Sequence, residues 1–577
     1  MATYLNQASL QQTAASLALS SSPHALEQAL QRLQSTKQFW ADLPVANRIA
    51  ILDQVRGDLQ GVEDRWVAAG MAAKGARPGT MAEGEEWFAL SIIYRYMRFL
   101  RKTLGDIERF GQPRLPGKLC WKTAGEFHVH LIPQSWQDRL ALLGIRAEVW
   151  IRDPYKGDLP AMADFYRQPH PGGKVALVLG AGNVASLPPG DFLHKLFVEG
   201  RVVLFKTNPV NAYLGPLLVE GFRALVEPGY LQIVHGGAEV GAQLAQHPQV
   251  DEVHLTGSAR TYEAILFGSG EGGQARKRTR QPILSKRVTA ELGSVSPVIV
   301  VPGPWSRRDV RKQAAKYATA LVASAGFNCV TPRVFIQMEG WGQRGALNRA
   351  LADYLKPIET RPAYYPGATR LHAEFTAQHP GALQLGLPKD GELPWTFIPE
   401  LDAGDSDEIC FRKEAFFGLF AETAIDAENA VEFLGKAVEF ANQKLWGSLC
   451  ASIVVHPKSL RDPLMAAAVD KAIADLHYGS VVINHWGALA YYLALTPWGA
   501  YPGSEMQDIQ SGVGKVNNPL MFAEAGKSVL WAPFISIPDP YLATSKRSYK
   551  YFQQDTRYQT KPSITNLVKL LWAAALS

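Results

Sequence analysis

The chain reads as an α/β protein built on an open, mostly parallel sheet, with a second α/β unit after it. Three observations predict this class. Over 174–258, strand-length apolar runs alternate with helix-length amphipathic stretches, the pattern of a parallel sheet covered by helices. The runs KVALVLGAGN and RVVLFKTNP are apolar at most positions, as strands buried on both faces must be. Of 577 residues, 47% are hydrophobic and 19% charged, a globular balance that excludes a disordered or fibrous chain.

Taken in order, 24–110 carries apolar residues at three- and four-residue steps and is expected as helices. EFHVHLI alternates, and LLGIRAEVWIRDP is rich in β-branched and aromatic residues, so strands are expected over 126–152. From 172 the expected series is strand KVALVLGAGN, helix LPPGDFLHKLFVEG, strand RVVLFKTNP, helix YLGPLLVEGFRALV, strand LQIVHGG, helix EVGAQLAQHP and strand VDEVHLTGS. A basic stretch, GEGGQARKRTRQPILSKR, follows; its simplest reading is a solvated loop. The strands VTAELG and PVIVVPGP and the helix RRDVRKQAAKYATALVASAG come next. The divisions are 1–125 (helices), 126–172 (strands), 173–292 (first α/β unit), 293–485 (second α/β unit), 486–534 (glycine-rich return with the strand KSVLWAPF) and 535–577, an extension ending in the apolar helix candidate ITNLVKLLWAAALS.

Lysine plus arginine number 59 against 53 acidic residues, and a net charge of +6 is small for this length. No nucleic-acid partner or strong membrane field is expected from it. No apolar run reaches 18 residues, so no membrane-spanning helix is expected. The opening MATYLNQASLQQTAASLALSSS has no basic residue ahead of its weak apolar stretch, which argues against a secretory signal and for a cytoplasmic enzyme. Cys120, Cys329, Cys410 and Cys450 lie far apart without a CxxC pair, so neither a zinc site nor a disulfide framework is expected.

Four residues stand where chemistry is plausible in an open α/β sheet, whose ligands bind at the carboxyl ends of strands. Cys329, in SAGFNCVTPRVFI, lies between a helix and a strand, where a thiol can attack an electrophilic carbon. Glu291, in TAELGSVSP, ends a strand and suits a general base. Asn183 ends the run KVALVLGAGN and has an amide to offer an oxyanion. Lys206 ends RVVLFK and suits a ribose hydroxyl or a phosphate. The other three cysteines read as structural.

The ordered set resembles the aldehyde dehydrogenase superfamily. Asn183 and Lys206 stand 23 residues apart, and Leu255-Thr256-Gly257-Ser258 follows. Glu291-Leu292-Gly293-Ser294 precedes Gly326-Phe327-Asn328-Cys329, with Arg333 soon after. Glu414-Ala415-Phe416-Phe417-Gly418 and then Pro497-Trp498-Gly499-Ala500, Ser511-Gly512-Val513-Gly514 and Lys527-Ser528-Val529 complete a resemblance spanning roughly 25–534.

The resemblance implies a Rossmann-type dinucleotide-binding domain over 173–292, a catalytic domain over 293–485 and a small strand-exchange oligomerisation element built from 126–172 and 486–534. It implies NAD or NADP held by Lys206, Gly257, Ser258, Glu414 and Phe416. Cys329 is the implied nucleophile forming a thioester, Asn183 the oxyanion donor and Glu291 the base that activates water. A homodimer or homotetramer acting on an aldehyde or acyl substrate is also implied, with no metal.

Three departures stand out. Position 209 is proline, where a glutamate commonly holds the adenosine ribose, so NADP is admissible. An extra phenylalanine follows Glu414, and the basic residues Arg276, Lys277, Arg278 and Arg280 look like an insertion able to bind phosphates. Alternatives are an acyl-CoA reductase yielding an aldehyde, which needs no hydrolytic base, and a catalytically silent binding member of the same fold. Phe327, Phe416, Phe417 and Trp486 are candidates for an apolar substrate tunnel.

Overall fold

The computed structural model describes residues 20–117, 119–123, 125–152 and 160–577. The opening segment and the side chain of Cys120 lie outside the described residues. Two sheets organise the chain. The first has six strands in the order Gly512–Val513, Arg287–Leu292, Glu252–Gly257, Val175–Leu179, Val202–Lys206 and Leu231–Val234. All neighbours are parallel except the short Gly512–Val513 strand, which pairs antiparallel with Arg287–Leu292. Val175–Leu179 and Val202–Lys206 are buried at every position, which accounts for their continuous apolar runs.

In this sheet the chain steps outward from Val175–Leu179 to Leu231–Val234, then returns to the other side with Glu252–Gly257. The reversal leaves a crevice at the carboxyl ends of the strands, beside Leu179 and Gly257.

The second sheet has eleven strands. Its centre, Ser480–Ile483, Cys450–Val454, Ser296–Val300, Pro332–Met338, Leu419–Ile425 and Trp395–Leu401, is parallel. At one end Ala525–Trp531 pairs in parallel with Ser480–Ile483 and antiparallel with Arg146–Arg152, beyond which lie Glu126–Ile132 and Leu119–Thr123. The segments read as strand-exchange elements therefore close on this chain's own sheet. The exposed-edge argument does not apply to Ala525–Trp531, because both of its edges are occupied within the chain.

Helices run over Pro23–Asp42, Val45–Gln60, Glu63–Ala73 and Met81–Phe110. The 30-residue Met81–Phe110 is buried along most of its length, and the helix Ser548–Thr560 of the extension packs along it. A last helix spans Ile564–Ala575. Among the described residues no helix is long and apolar enough to cross a membrane.

Candidate active site

Cys329 stands on a loop between the helix Arg307–Val322 and the strand Pro332–Met338. The helix ends in a tight turn, where Ser324, Ala325 and Gly326 have φ of 51°, 56° and 81°. Two consecutive non-glycine residues in the left-handed region are costly, about 1–3 kcal/mol each. Two anchors hold them. The Ser324 amide donates to Glu85 Oε1 at 2.9 Å, and Glu85 is gripped by Arg361 through two 2.9 Å bonds. Buried Arg333 donates to Phe417 O (2.6 Å), Leu419 O (3.1 Å) and Gly326 O (3.0 Å), fastening the cysteine loop to the neighbouring strand. The rigid, planar guanidinium fork presents its N–H groups to these carbonyls in a fixed geometry.

The thiol of Cys329 is half-buried and lies 3.8 Å from Glu291 Oε1 and 3.8 Å from Asn328 Oδ1. Glu291 is the fifth residue of the strand Arg287–Leu292, from the other sheet. The site is therefore assembled where the carboxyl end of the six-stranded sheet meets the amino ends of the second sheet's strands Pro332–Met338 and Leu419–Ile425. Burial, then the charge of Asp191, raises the Glu291 carboxyl from 4.5 to about 8; Trp498 and Cys329 pull it back only in part. Among the described residues, Glu291 Oε2 and the Trp498 indole nitrogen have no partner other than each other. Burial, with Glu291 and Glu414 beside it, pushes the Cys329 thiol well above its ordinary range. At neutral pH the resting pair is a thiol and a mostly protonated acid.

Asn183 does not end its strand, which stops at Leu179; it sits in the loop before the helix Leu187–Phe197. Its buried amide donates to Phe327 O at 3.1 Å, two residues before the thiol. One N–H is thus used for positioning, and the second is left for another acceptor. Tyr364 donates to the Asn183 carbonyl at 3.3 Å and holds the loop from behind.

Lys206 ends its strand, and its ammonium donates to Gly236 O (2.8 Å) and Gly237 O (3.1 Å). Burial lowers it to about 8, with Glu239 acting in the opposite direction. Gly257 and Ser258 are exposed at the end of Glu252–Gly257, and Ser258 caps the helix Ala259–Phe267 by accepting from the Thr261 amide. Glu414 lies against Gly293, held by the charge of Arg333 and the Ser294 amide, and burial raises it to about 7.

Residues 165–357 match the Aldehyde dehydrogenase family. The chain is similar to curated aldehyde dehydrogenases over about half its length. It is 34% identical over 343 residues to 4-trimethylaminobutyraldehyde dehydrogenase of Homo sapiens, covering 55% of this chain and 60% of that protein. It is 26% identical over 299 residues to N-succinylglutamate 5-semialdehyde dehydrogenase of Sphingopyxis alaskensis, covering 49% and 56%. The chain thus spans a little over half the length of these curated relatives. In fold it is similar to NADP-dependent glyceraldehyde-3-phosphate dehydrogenase of Bacillus halodurans, solved with NADP (TM-score 0.60, 16% identity, 89% of this chain and 92% of that one). Lactaldehyde dehydrogenase of Escherichia coli is similar at TM-score 0.58, with 16% identity and 88% and 91% covered.

Against the superfamily's motif order, this chain brings Cys329, Glu291, Glu414 and Arg333 into one cluster, and Asn183 reaches it through Phe327. Lys206, Gly257 and Ser258 line the carboxyl edge of the six-stranded sheet. Phe416 is half-buried, its ring 5.9 Å from Phe327 and 4.9 Å from Tyr365. Phe327, Phe417 and Trp486 belong to the core rather than to an open tunnel.

The basic stretch is not a solvated loop: 270–279 is a helix. Arg276 donates to Phe267 O at 2.6 Å, Lys277 pairs with Glu263 at 2.7 Å and Arg280 pairs with Glu505 at 3.5 Å. Those side chains are largely engaged within the chain.

Several residues escaped sequence reasoning. Buried Asp191 accepts from Thr256 at 2.7 Å and faces His254 at 3.5 Å, and its charge acts on Glu291. Only a carboxylate among the apolar neighbours of LPPGDFL hinted at it. Glu239 and Glu85 had no local signal at all.

Proposed function

We propose that this chain is an NAD(P)-dependent oxidoreductase that oxidises an aldehyde to a carboxylate through a thioester on Cys329. The observation that carries the reading is the 3.8 Å approach of Cys329 Sγ to Glu291 Oε1, on a loop that the Asn183 amide holds. The ionised form of Glu291 accepts the Cys329 proton and passes it to solvent, and the sulfur bonds to the aldehyde carbon. The free N–H of Asn183 stabilises the resulting oxyanion. A nicotinamide bound at the sheet edge would supply the acceptor for the hydride that leaves that carbon. Glu291 then removes a proton from water, which attacks the thioester and returns Cys329 as the thiol with a free acid.

The residues at the sheet edge fit a dinucleotide. A side chain at Gly182 would come within 2.7 Å of Asn208 Oδ1, so only a glycine lets this loop pack against Asn208 and Val210. Gly257 and Ser258 present an exposed helix N-terminus, suited to an anionic group, and Lys206 supplies a cation nearby. Glu414 and Phe416 would meet the cofactor from the second sheet. NAD and NADP are both part of the reading, as is assembly into a homodimer or homotetramer.

A specific observation favours a second reading, reduction of an acyl thioester to an aldehyde. Glu291 is largely protonated at neutral pH, a poor state for a hydrolytic base, and that reduction needs none. A screen of aldehydes and acyl-CoAs of varied chain length with both nicotinamide cofactors separates the two. Acid formation lost in Cys329→Ser supports the first reading. Turnover of acyl-CoA alone, with reduced cofactor, replaces it by the second.

A further inference from the structure

We propose that the surface carried by the last helix, Ile564–Ala575, docks on an anionic lipid bilayer. The helix is attached to the protein by one face only. Leu567 and Leu570 are buried and form a small core with Tyr558, against which Ala141 packs. The other face carries Ile564 (67% exposed), Val568 (59%), Trp572 (67%) and Leu576 (45%). Their four-residue spacing makes a single stripe along the helix. The helix Trp136–Ala141, which packs against it, leaves Trp136 and Leu140 exposed, and Leu143 follows just beyond. Large apolar side chains gathered in this way mark an interaction surface.

The charge of the same region identifies the occupant. Between 546 and 577 there are six basic residues, Lys546, Arg547, Lys550, Arg557, Lys561 and Lys569, and one acidic residue, Asp555. Asp555 is buried and accepts from Tyr492 at 2.9 Å and Gln559 at 2.9 Å, so it is turned inward. All six cations are exposed, and none closes an ion pair among the described residues. The chain's modest net charge of +6 is therefore unevenly spread, and most of the excess lies here. The small total hid this field from a composition argument.

An apolar stripe with a tryptophan, bordered by exposed lysines, is the arrangement of a helix lying in the plane of a bilayer surface. The indole suits the headgroup level, and Lys569 and Lys561 can lay their stems along the stripe with their ammonium groups at the phosphates. Twelve residues are too few to span, since a crossing needs about 20. A second copy fits less well, because apposing two such faces would bring like charges together.

The test is vesicle flotation of the full chain, using phosphatidylcholine alone and phosphatidylcholine with phosphatidylglycerol, at low and high salt. Partition should be about tenfold or more stronger with phosphatidylglycerol and should weaken with salt. Lys561→Ala and Lys569→Ala should each weaken it about fivefold. Trp572→Ser and the double variant Val568→Asp/Trp572→Asp should abolish it, with circular dichroism and turnover unchanged. Equal partition onto both vesicles, or none onto phosphatidylglycerol, overturns the proposal. So does a doubled mass in light scattering that Trp572→Ser restores to the monomer, because the stripe would then belong to a second copy. Should the double variant misfold, the single serine and the lysine variants, which touch only exposed side chains, still decide the matter.

Discussion

The carboxylate of Glu414 fills the space that a side chain at position 293 would need: a β-carbon on Gly293 would collide with Glu414 Oε1, Oε2 and Cδ. The glycine that follows the Glu291 strand is thus required by a residue more than a hundred positions away. Glu414 in turn raises the proton affinity of both Cys329 and Glu291.

Gly293→Ala should therefore disturb chemistry and stability together. Overpacking of this kind costs about 1–3 kcal/mol, and the displaced carboxylate has only the thiol side or the Arg333 side to move toward. Thermal unfolding and kcat/KM should both fall. An unchanged Tm would show that Glu414 swings aside freely.

Cys329→Ser should abolish turnover while leaving the fold and dinucleotide binding intact, because a hydroxyl at this position is a far weaker nucleophile than a thiolate. Retention of most of the activity would exclude the covalent route.

Glu291→Gln should slow acid formation by about 10²–10⁴-fold, with a burst of one reduced cofactor per site before the slow phase. In the unaltered chain, a rate limited by hydrolysis should rise with pH as the carboxyl ionises near 8. Stability runs the other way. The unfolded chain releases this proton near 4.5 and the folded chain keeps it to about 8, so the folded state loses stability as pH rises through that window. The Tm advantage of Glu291→Gln over the parent should accordingly be larger at about pH 9 than at about pH 5. An advantage independent of pH would mean that the carboxylate is already ionised at low pH.

Cofactor choice should depend on Lys206 and Glu239. With proline at 209, no carboxylate follows the lysine on its own loop, but Glu239 approaches it from the helix Ala238–Gln246. NADP should be accepted, with an NADP-to-NAD ratio in kcat/KM no worse than about one-tenth. Glu239→Gln should move preference toward NADP by up to about tenfold, since a carboxylate near a 2′-phosphate repels it. Lys206→Ala should weaken NADP more than NAD. Equal effects on both cofactors would place selection elsewhere.

Glu85→Ala should loosen the cysteine loop from a distance. It leaves Arg361 without its carboxylate and the Ser324 amide without its acceptor. Removing one partner of a buried pair costs about 3–5 kcal/mol. The fall in Tm should come with a change in the rate at which iodoacetamide labels Cys329. Unchanged labelling would show that Arg333 alone holds the loop.

Much of this was legible in the chain itself. The alternation over 174–258 is a local record of burial, and the strands and helices expected there formed at those places. The thiol at a helix–strand junction and the glutamate near a strand end were visible for the same reason. The helix in the basic stretch was missed because GEGG and clustered like charges disfavour helix locally. Arg276 and Lys277 find their partners on the preceding helix and its end, and those contacts outweigh the weak propensity. Asn183 was placed at a strand end because an apolar run does not mark where ladder hydrogen bonds stop.

The sequence by itself determined the fold class, the order of the elements and the resemblance to aldehyde dehydrogenases, because periodicity and short motifs are properties of neighbouring residues. The tertiary structure decided the rest. It closed Ala525–Trp531 onto this chain's own sheet, brought Glu239 to Lys206, and set Asp191 and Glu414 around Glu291 and Cys329. Proton affinity and strand partnership depend on which distant segments come within a few ångströms and on how much water they exclude, and no local pattern carries that information.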